Sequence, residues 1–270
     1  MRLRVKLPAI LLLLFTVSHL TAGPDPTRAR LANMARLTTF TQRDFITLSS
    51  KAESGDREAQ FWVGSIYEQG KLVPKDYKQA EIWLLKSAEK DYPPAECTLG
   101  LMYWYLDSEA AKAAMWLQRA AQKGDSEAQF WLGNAYEQGL LGTINYREAL
   151  NWLEKSAKQG HPEAQASLGQ MYEDGEGVKQ NYAMAAKWYR KAAEHVPNLG
   201  GAGQGRNNLG LLYLQGLGVA KDYVRAYFWF TLANGEPNFS ASYAKAHMTQ
   251  AEITNAERMA NDWKSHHSQQ

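Results

Sequence analysis

The chain has 270 residues, 45% of them hydrophobic, with 21 Gly against 9 Pro and one cysteine, a composition that excludes both a disulfide-stapled miniprotein and a disordered tail. Lys plus Arg number 30 and Asp plus Glu 28, but Arg2, Arg4 and Lys6 fall in the first 22 positions, which hold no acid; without that stretch the formal charge moves from +2 to −1. So balanced a chain has no surplus of charge to hold nucleic acid or an anionic membrane.

Residues 1–22 read as a secretory signal: a basic start, an apolar run from Leu7 to Val17, and a polar end at Thr21-Ala22, after which cleavage is expected. The run is shorter than the roughly 20 apolar residues that a membrane span requires, and no later segment comes closer, so no membrane insertion is expected once the signal is gone. Cys97 lies too far from the signal to take a lipid and has no partner for an intrachain disulfide.

Residues 23–54 are read as an N-terminal segment and partial capping repeat. Residues 23–40 are expected to be at best partly ordered; Thr41-Gln42-Arg43-Asp44 then opens a helical segment carrying Phe45, Leu48 and Ala52.

From 55 to 234 the sequence repeats itself. An Ala, an apolar residue followed by Gly, and a Tyr recur at fixed offsets: Ala59, Val63-Gly64, Tyr67; Ala95, Leu99-Gly100, Tyr103; Ala128, Leu132-Gly133, Tyr136; Ala164, Leu168-Gly169, Tyr172; and Leu209-Gly210, Tyr213. The glycines are 36, 33, 36 and 41 residues apart, a period typical of stacked helical units. A second block follows each, with Ala three residues before Trp: Ala80 and Trp83, Ala113 and Trp116, Ala149 and Trp152, Ala185 and Trp188, Ala226 and Trp229. Spacings such as Ala59, Val63, Ile66, Tyr67 have the helical period, so each unit is two helices. Glycine ends the first helix, as in Gly175-Glu176-Gly177 and Gly216-Leu217-Gly218, because it enters the left-handed region without strain. Asp76, Asn145, Asn181 and Asp222 stand where the second helix needs an N-cap. The Gly inside each first helix costs about 1 kcal/mol against Ala, so its recurrence implies a helix–helix approach too close for a side chain. The segment 198–205 adds about five residues between units four and five and is expected to be a flexible loop. Residues 235–270 are read as a C-terminal capping helix and polar tail: Thr249-Gln250-Ala251-Glu252 fits a capping box, and Ile253, Ala256, Ala260 and Trp263 form one stripe.

Motifs for chemistry are scarce. No G-x-S-x-G, H-E-x-x-H, G-x-x-x-x-G-K or C-x-x-C occurs. The glycines of Gly200–Gly205 miss the dinucleotide spacing, since the third would fall on Arg206 or Asn208. His161, His195 and His247 have no partner at helical ligand spacing and read as surface residues, while His266 and His267 fall in the tail. No catalytic residue, metal or cofactor is expected.

The pattern Ala, Leu-Gly, Tyr, Gly-x-Gly-Val, Asp-Tyr, Ala, Trp, Ala-Ala resembles the Sel1-like repeats, relatives of the tetratricopeptide repeats, over about residues 55–234. The resemblance implies an all-α, right-handed solenoid of about five two-helix repeats that binds proteins, and, with the signal, a periplasmic or secreted bacterial member. Repeat two departs by lacking the glycine loop, and repeat three by carrying Leu140-Leu141-Gly142. A cysteine-rich Sel1-like subfamily has been linked to β-lactam hydrolysis; one cysteine does not carry that activity over. By analogy with tetratricopeptide solenoids the first helices line the concave face, which puts Phe61, Trp62 and Glu68, Trp104 and Tyr105, Phe130, Trp131 and Glu137, and Glu173 in the groove as partner-binding candidates. Packing of Trp62 and Trp131 between neighbouring first helices is the alternative. The partner is expected to be a protein, a secreted effector neutralised by an immunity protein or an envelope protein; a scaffold or host-interaction role, and behind them an enzyme acting on peptidoglycan, are the other readings.

Overall fold

A computed structural model describes residues 37–106, 110–195, 200–234 and 239–267; the expected signal sequence and its cleavage point lie outside them. Among the described residues the regular structure is helical: α1 (Gln42–Glu53), α2 (Arg57–Gln69), α3 (Tyr77–Ala88), α4 (Pro93–Tyr105), α5 (Ala110–Gln122), α6 (Ser126–Glu137), α7 (Tyr146–Lys158), α8 (Pro162–Asp174), α9 (Tyr182–Ala193), α10 (Gly200–Gln215), α11 (Tyr223–Asn234), α12 (Phe239–Ala246) and α13 (Gln250–His267). Helices pair as α2/α3, α4/α5, α6/α7, α8/α9 and α10/α11, and each second helix packs on the first helix of the next pair. The result is a right-handed α-solenoid, in which stability resides in contacts within and between units.

The recurring glycine is where each pair meets. A Cβ on Gly64, Gly100, Gly133, Gly169 or Gly210 would stand 2.6–2.7 Å from Leu84, Leu117, Leu153, Tyr189 or Phe230, the residue four positions after the second helix's Ala. No side chain fits there, which accounts for Gly inside a helix that would prefer Ala. The turn glycines act through backbone conformation instead: Gly175 and Gly177 have φ of 77° and 68°, and Gly216 and Gly218 of 76° and 67°. The caps form as the sequence requires. Asp76 accepts from the Lys78 and Gln79 amides, Asn145 from Glu148, Asn181 from Met184 and Asp222 from Arg225.

A buried polar ladder joins successive units. Gln60, Gln129 and Gln165 each donate through Nε2 to a carbonyl of the preceding second helix, Ala52, Ala121 and Ala157, at 3.0–3.1 Å. Repeat five places Arg206 in that slot; its Nε donates to Ala193 O at 2.9 Å and its other nitrogens to the Leu232 and His195 carbonyls. Repeat two has Glu96, which cannot donate and is instead paired with Arg119 at 3.0 Å and Lys123 at 2.8 Å.

The first and last helices of the described residues carry caps of their own. Thr41 and Asp44 make a capping box for α1, which stands where the second helix of a preceding unit would. At the other end Thr249 and Glu252 cap α13, and Ile253, Ala256 and Ala260 are buried on its inner stripe.

Four readings of the sequence are corrected. Gly200–Gly205 is the start of α10 and not a loop: a Cβ on Gly201 would lie 2.2 Å from the Glu163 amide nitrogen, and one on Gly205 2.7 Å from Ala192 Cβ, so the glycines admit close helix packing. His266 and His267 end α13 rather than fall in a frayed tail, and α12, with Ala241 and Ala244 buried, precedes it. His161 is buried, not superficial: its Nδ1 caps α8 by accepting from the Ala164 amide at 3.3 Å, and its ring stacks on Phe130 at 4.6 Å. Residues 37–40 also pack more than expected, for Leu37 is buried in the first repeat's core.

Candidate partner-binding surface

The aromatic side chains expected in the groove divide into two sets. Phe61, Trp62 and Phe130 are 3%, 2% and 8% exposed. Phe61 sits between its own helix and Tyr92, the residue before α4, with ring centroids 5.5 Å apart; Phe130 does the same with His161 before α8. Trp62 meets Phe40 edge-on at 5.4 Å and shares a core with Leu37. These three are wedges between neighbouring first helices and not groove anchors: the side chain leaves α2 or α6 toward the adjoining unit, where burying it stabilises the stack.

The second set remains at the surface. Tyr105, at the end of α4, is 46% exposed and lies edge-on to the half-buried Trp131 at 6.0 Å. Trp104, Trp131, Tyr136 and Leu141 pack half-buried over the buried Cys97, Leu101, Leu117 and Leu132. Leu106, Leu140 and Ile144, from the two loops that depart from the glycine pattern, are 42%, 48% and 56% exposed. Repeats two and three therefore carry exposed apolar side chains at their loops as well as the half-buried aromatic cluster, the kind of surface that marks an interaction site.

The acids expected beside it are placed at the ends of the first helices, Glu68, Glu137 and Glu173 all being half-buried. Glu173 accepts a hydrogen bond from the Tyr189 hydroxyl at 2.6 Å and so serves the fold. Glu137 is different. Its carboxyl is raised above the usual range by burial and by the neighbouring Glu176 and Asp174 charges, and the Tyr146 hydroxyl is raised as well, chiefly by Glu176. Neither Glu137, Asp174 nor Glu176 has a cation within ion-pair distance among the described residues. Asp174 lies at an inner-face offset of repeat four and joins the site from the neighbouring unit, whereas Glu176, Tyr136 and Leu141 are additions that those offsets do not select, Glu176 and Leu141 because they lie in loops.

Among the described residues no three His, Cys, Asp or Glu side chains are placed to share a metal. Ser87-Ala88-Glu89-Lys90 and Ser242-Tyr243-Ala244-Lys245 have the S-x-x-K spacing, but the Ser87 hydroxyl donates to Arg57 O at 2.7 Å, Lys90 to Gly55 O, and Lys245 lies 3.5 Å from Glu257. No helix among the described residues is long and apolar enough to cross a membrane.

A stack of helical hairpins with a shaped side-chain surface defines a helical-repeat interaction protein. The sequence matches the Sel1 repeat over residues 57–92, 93–125, 126–161, 162–195 and 204–234, and the chain belongs to that family. Among solved structures it is similar to a Sel1 repeat protein from Oxalobacter formigenes, 26% identical with a TM-score of 0.64, covering 77% of this chain and 89% of that one. It is also similar to c5321, a protective antigen of uropathogenic Escherichia coli with the same repeat fold, at 27% identity and a TM-score of 0.52, covering 83% of this chain and 56% of that one. The chitin synthase regulatory factor 3 of Schizosaccharomyces pombe is 34% identical over 107 residues, which are 37% of this chain and 11% of that protein, so the match spans about a tenth of the curated relative.

Proposed function

We propose that this chain is a non-catalytic binding module that acts in the bacterial periplasm after removal of residues 1–22 and holds one protein partner on the first-helix face of repeats two to four. The observation that carries the reading is the surface-exposed Tyr105 against the half-buried Trp131, with Trp104 half-buried beside them, in a fold where Phe61, Trp62 and Phe130 are sealed. Aromatic anchors of this kind concentrate binding energy because they bury large area at small entropic cost. Confinement of the patch to adjacent repeats suits one partner better than several, and we therefore favour an inhibitor, an immunity protein for a secretion effector that reaches the periplasm, over an envelope scaffold. A host-interaction role is the second reading, supported by the likeness to the protective antigen.

Affinity capture from periplasmic extract, with the parent and the Tyr105→Ala and Trp131→Ala variants as baits, tests this. One partner retained by the parent and lost from folded variants is the expected result; several partners with an envelope defect on deletion favour the scaffold, and turnover of muropeptides or β-lactams would remove the non-catalytic reading. The compartment has its own check: the purified protein should begin near Gly23, and an intact Met1 on membrane-pelleted chain would count against it.

A further inference from the structure

Residues 58–70 and 127–139 are near-duplicates, identical at ten of thirteen positions. Their stereochemistry is duplicated as well. The indole N–H of Trp62 donates to Glu58 at 3.2 Å and that of Trp131 to Glu127 at 2.7 Å, and Phe61 and Phe130 meet the residue before the next first helix in the same way. What differs is the cover in front of the indole. Trp62 meets Phe40 and shares its core with Leu37, an aromatic and an aliphatic side chain three positions apart in a segment that is helical at 37–39, and is 2% exposed. Trp131 meets Tyr105, which is itself 46% exposed, and stays half-buried.

The chain thus holds, at one copy of this helix, an example of what its indole accepts. The second copy adds a feature of charge: Glu137, the counterpart of Glu68, stands with Asp174 and Glu176, and these three carboxylates have no cation at ion-pair distance among the described residues. A basic group arriving there relieves repulsion that the fold leaves uncompensated, and it also speeds encounter.

Resting on the groove reading above, we propose that the Trp104, Tyr105 and Trp131 patch receives a helical segment of a partner protein that presents a leucine and an aromatic residue three positions apart, with an arginine or lysine beside them that meets Glu137, Asp174 and Glu176. The apolar pair covers Trp131 as Leu37 and Phe40 cover Trp62. The cation sets the direction in which the segment lies.

A fluorescein-labelled peptide with the sequence of residues 30–41, Arg-Leu-Ala-Asn-Met-Ala-Arg-Leu-Thr-Thr-Phe-Thr, has all three features and serves as the probe against the purified protein in fluorescence anisotropy. Saturable binding is expected, weakened at least ten-fold by Tyr105→Ala with a melting temperature close to the parent's, and by Trp131→Ala measured where that variant, which also loses core packing, is still folded. The triple change Glu137→Gln, Asp174→Asn, Glu176→Gln should weaken it similarly at low salt and flatten its salt dependence. Peptides with both Leu and Phe replaced by Ala, or both Arg by Glu, should not bind. A benzophenone in place of the peptide's Phe should cross-link near Trp131 and Leu141. Cross-links near Trp62 mean exchange with the chain's own segment and overturn the proposal, as does binding indifferent to the variants or a dimer that Tyr105→Ala dissolves. A partner captured by the parent, lost from Tyr105→Ala and not displaced by the peptide sinks this chemistry while leaving the groove reading in place.

Discussion

Asp125 shows how one buried group sets a pH response. It caps α6 by accepting from the Ala128 amide, yet burial, reinforced by the Glu127 charge, lifts its pKa from 3.8 to about 6; the Cys97 thiol and His161 pull the other way. A carboxyl with a raised native pKa holds a proton that the unfolded chain has already lost, so between pH of about 4 and 6 the native state binds more protons and its stability falls as pH rises. A shift of this size corresponds to at most about 3 kcal/mol, at 1.36 kcal/mol per unit. Asn keeps the cap without the charge, so urea midpoints of the parent should decline relative to Asp125→Asn across that window and run parallel above it. Parallel curves throughout would show that the native carboxyl is not perturbed. Glycine gives a second test at the same scale. Gly133→Leu and Gly169→Leu must push into Leu153 and Tyr189 and should cost roughly 1 to 3 kcal/mol or more; melts matching the parent would contradict the close approach.

At the scale of the helices, the polar ladder explains differences between repeats that look alike. Gln159 donates to Gly124 O at 3.0 Å and to Gln129 Oε1 at 2.8 Å, tying the end of α7 to α6, and His195 meets Gln165 Oε1 at 3.0 Å in the same place. In repeat one the corresponding residue is Lys90, which donates to Gly55 O while Gln60 Oε1, buried, has no partner. An unmet buried acceptor costs on the order of 1 to 3 kcal/mol. Lys90→Gln should recreate the repeat-three arrangement and stabilise the protein by about 1 kcal/mol; Gln129→Ala, which removes both the bond to Ala121 O and the one from Gln159, should destabilise it by about 1 to 3 kcal/mol although the Gly124 amide still reaches Ala121 O. Chemical denaturation of the two variants settles the pair, and a destabilised Lys90→Gln would mean that the ammonium already serves both acceptors.

Across the whole molecule, the C-terminal closure depends on one buried cation. Arg206 reaches three carbonyls, of Ala193 in α9, Leu232 in α11 and His195 two residues past α9, and stacks its guanidinium 4.7 Å from the Trp263 ring of α13; burial lowers its pKa to about 10. Arg206→Met keeps the length and loses every donor, so the cost should be at least the roughly 1 to 3 kcal/mol of an orphaned acceptor. Hydrogen exchange should accelerate first in α10, α11 and α13 and then in α8 and α9, because each solenoid unit borrows stability from its neighbours. Exchange that rises uniformly along the chain would contradict that order.

Periodicity carried most of the fold, for a recurring Ala, Gly and Trp at helical offsets leaves one way to stack five hairpins, and a cap such as Asp76 or Thr249 acts within three residues of itself. The polar ladder and the groove were harder to read because their partners lie about 30 residues away. Phe61 and Phe130 occupy the same offsets as groove residues, yet each is turned into the stack by Tyr92 or His161 of the next unit. Trp62 and Trp131 are the clearest case. In two segments identical at ten of thirteen positions the tryptophans differ in exposure, Phe40 standing before one with Leu37 in the same core and Tyr105 before the other. Gly200–Gly205 misled for a related reason: local propensity favours a loop, and the close contact with Pro162, Glu163 and Ala192 makes it a helix. Local chemistry thus determined the repeat, its turns and its caps, whereas burial is a property of neighbours in space, and only the tertiary structure decided which aromatic side chains were left for a partner.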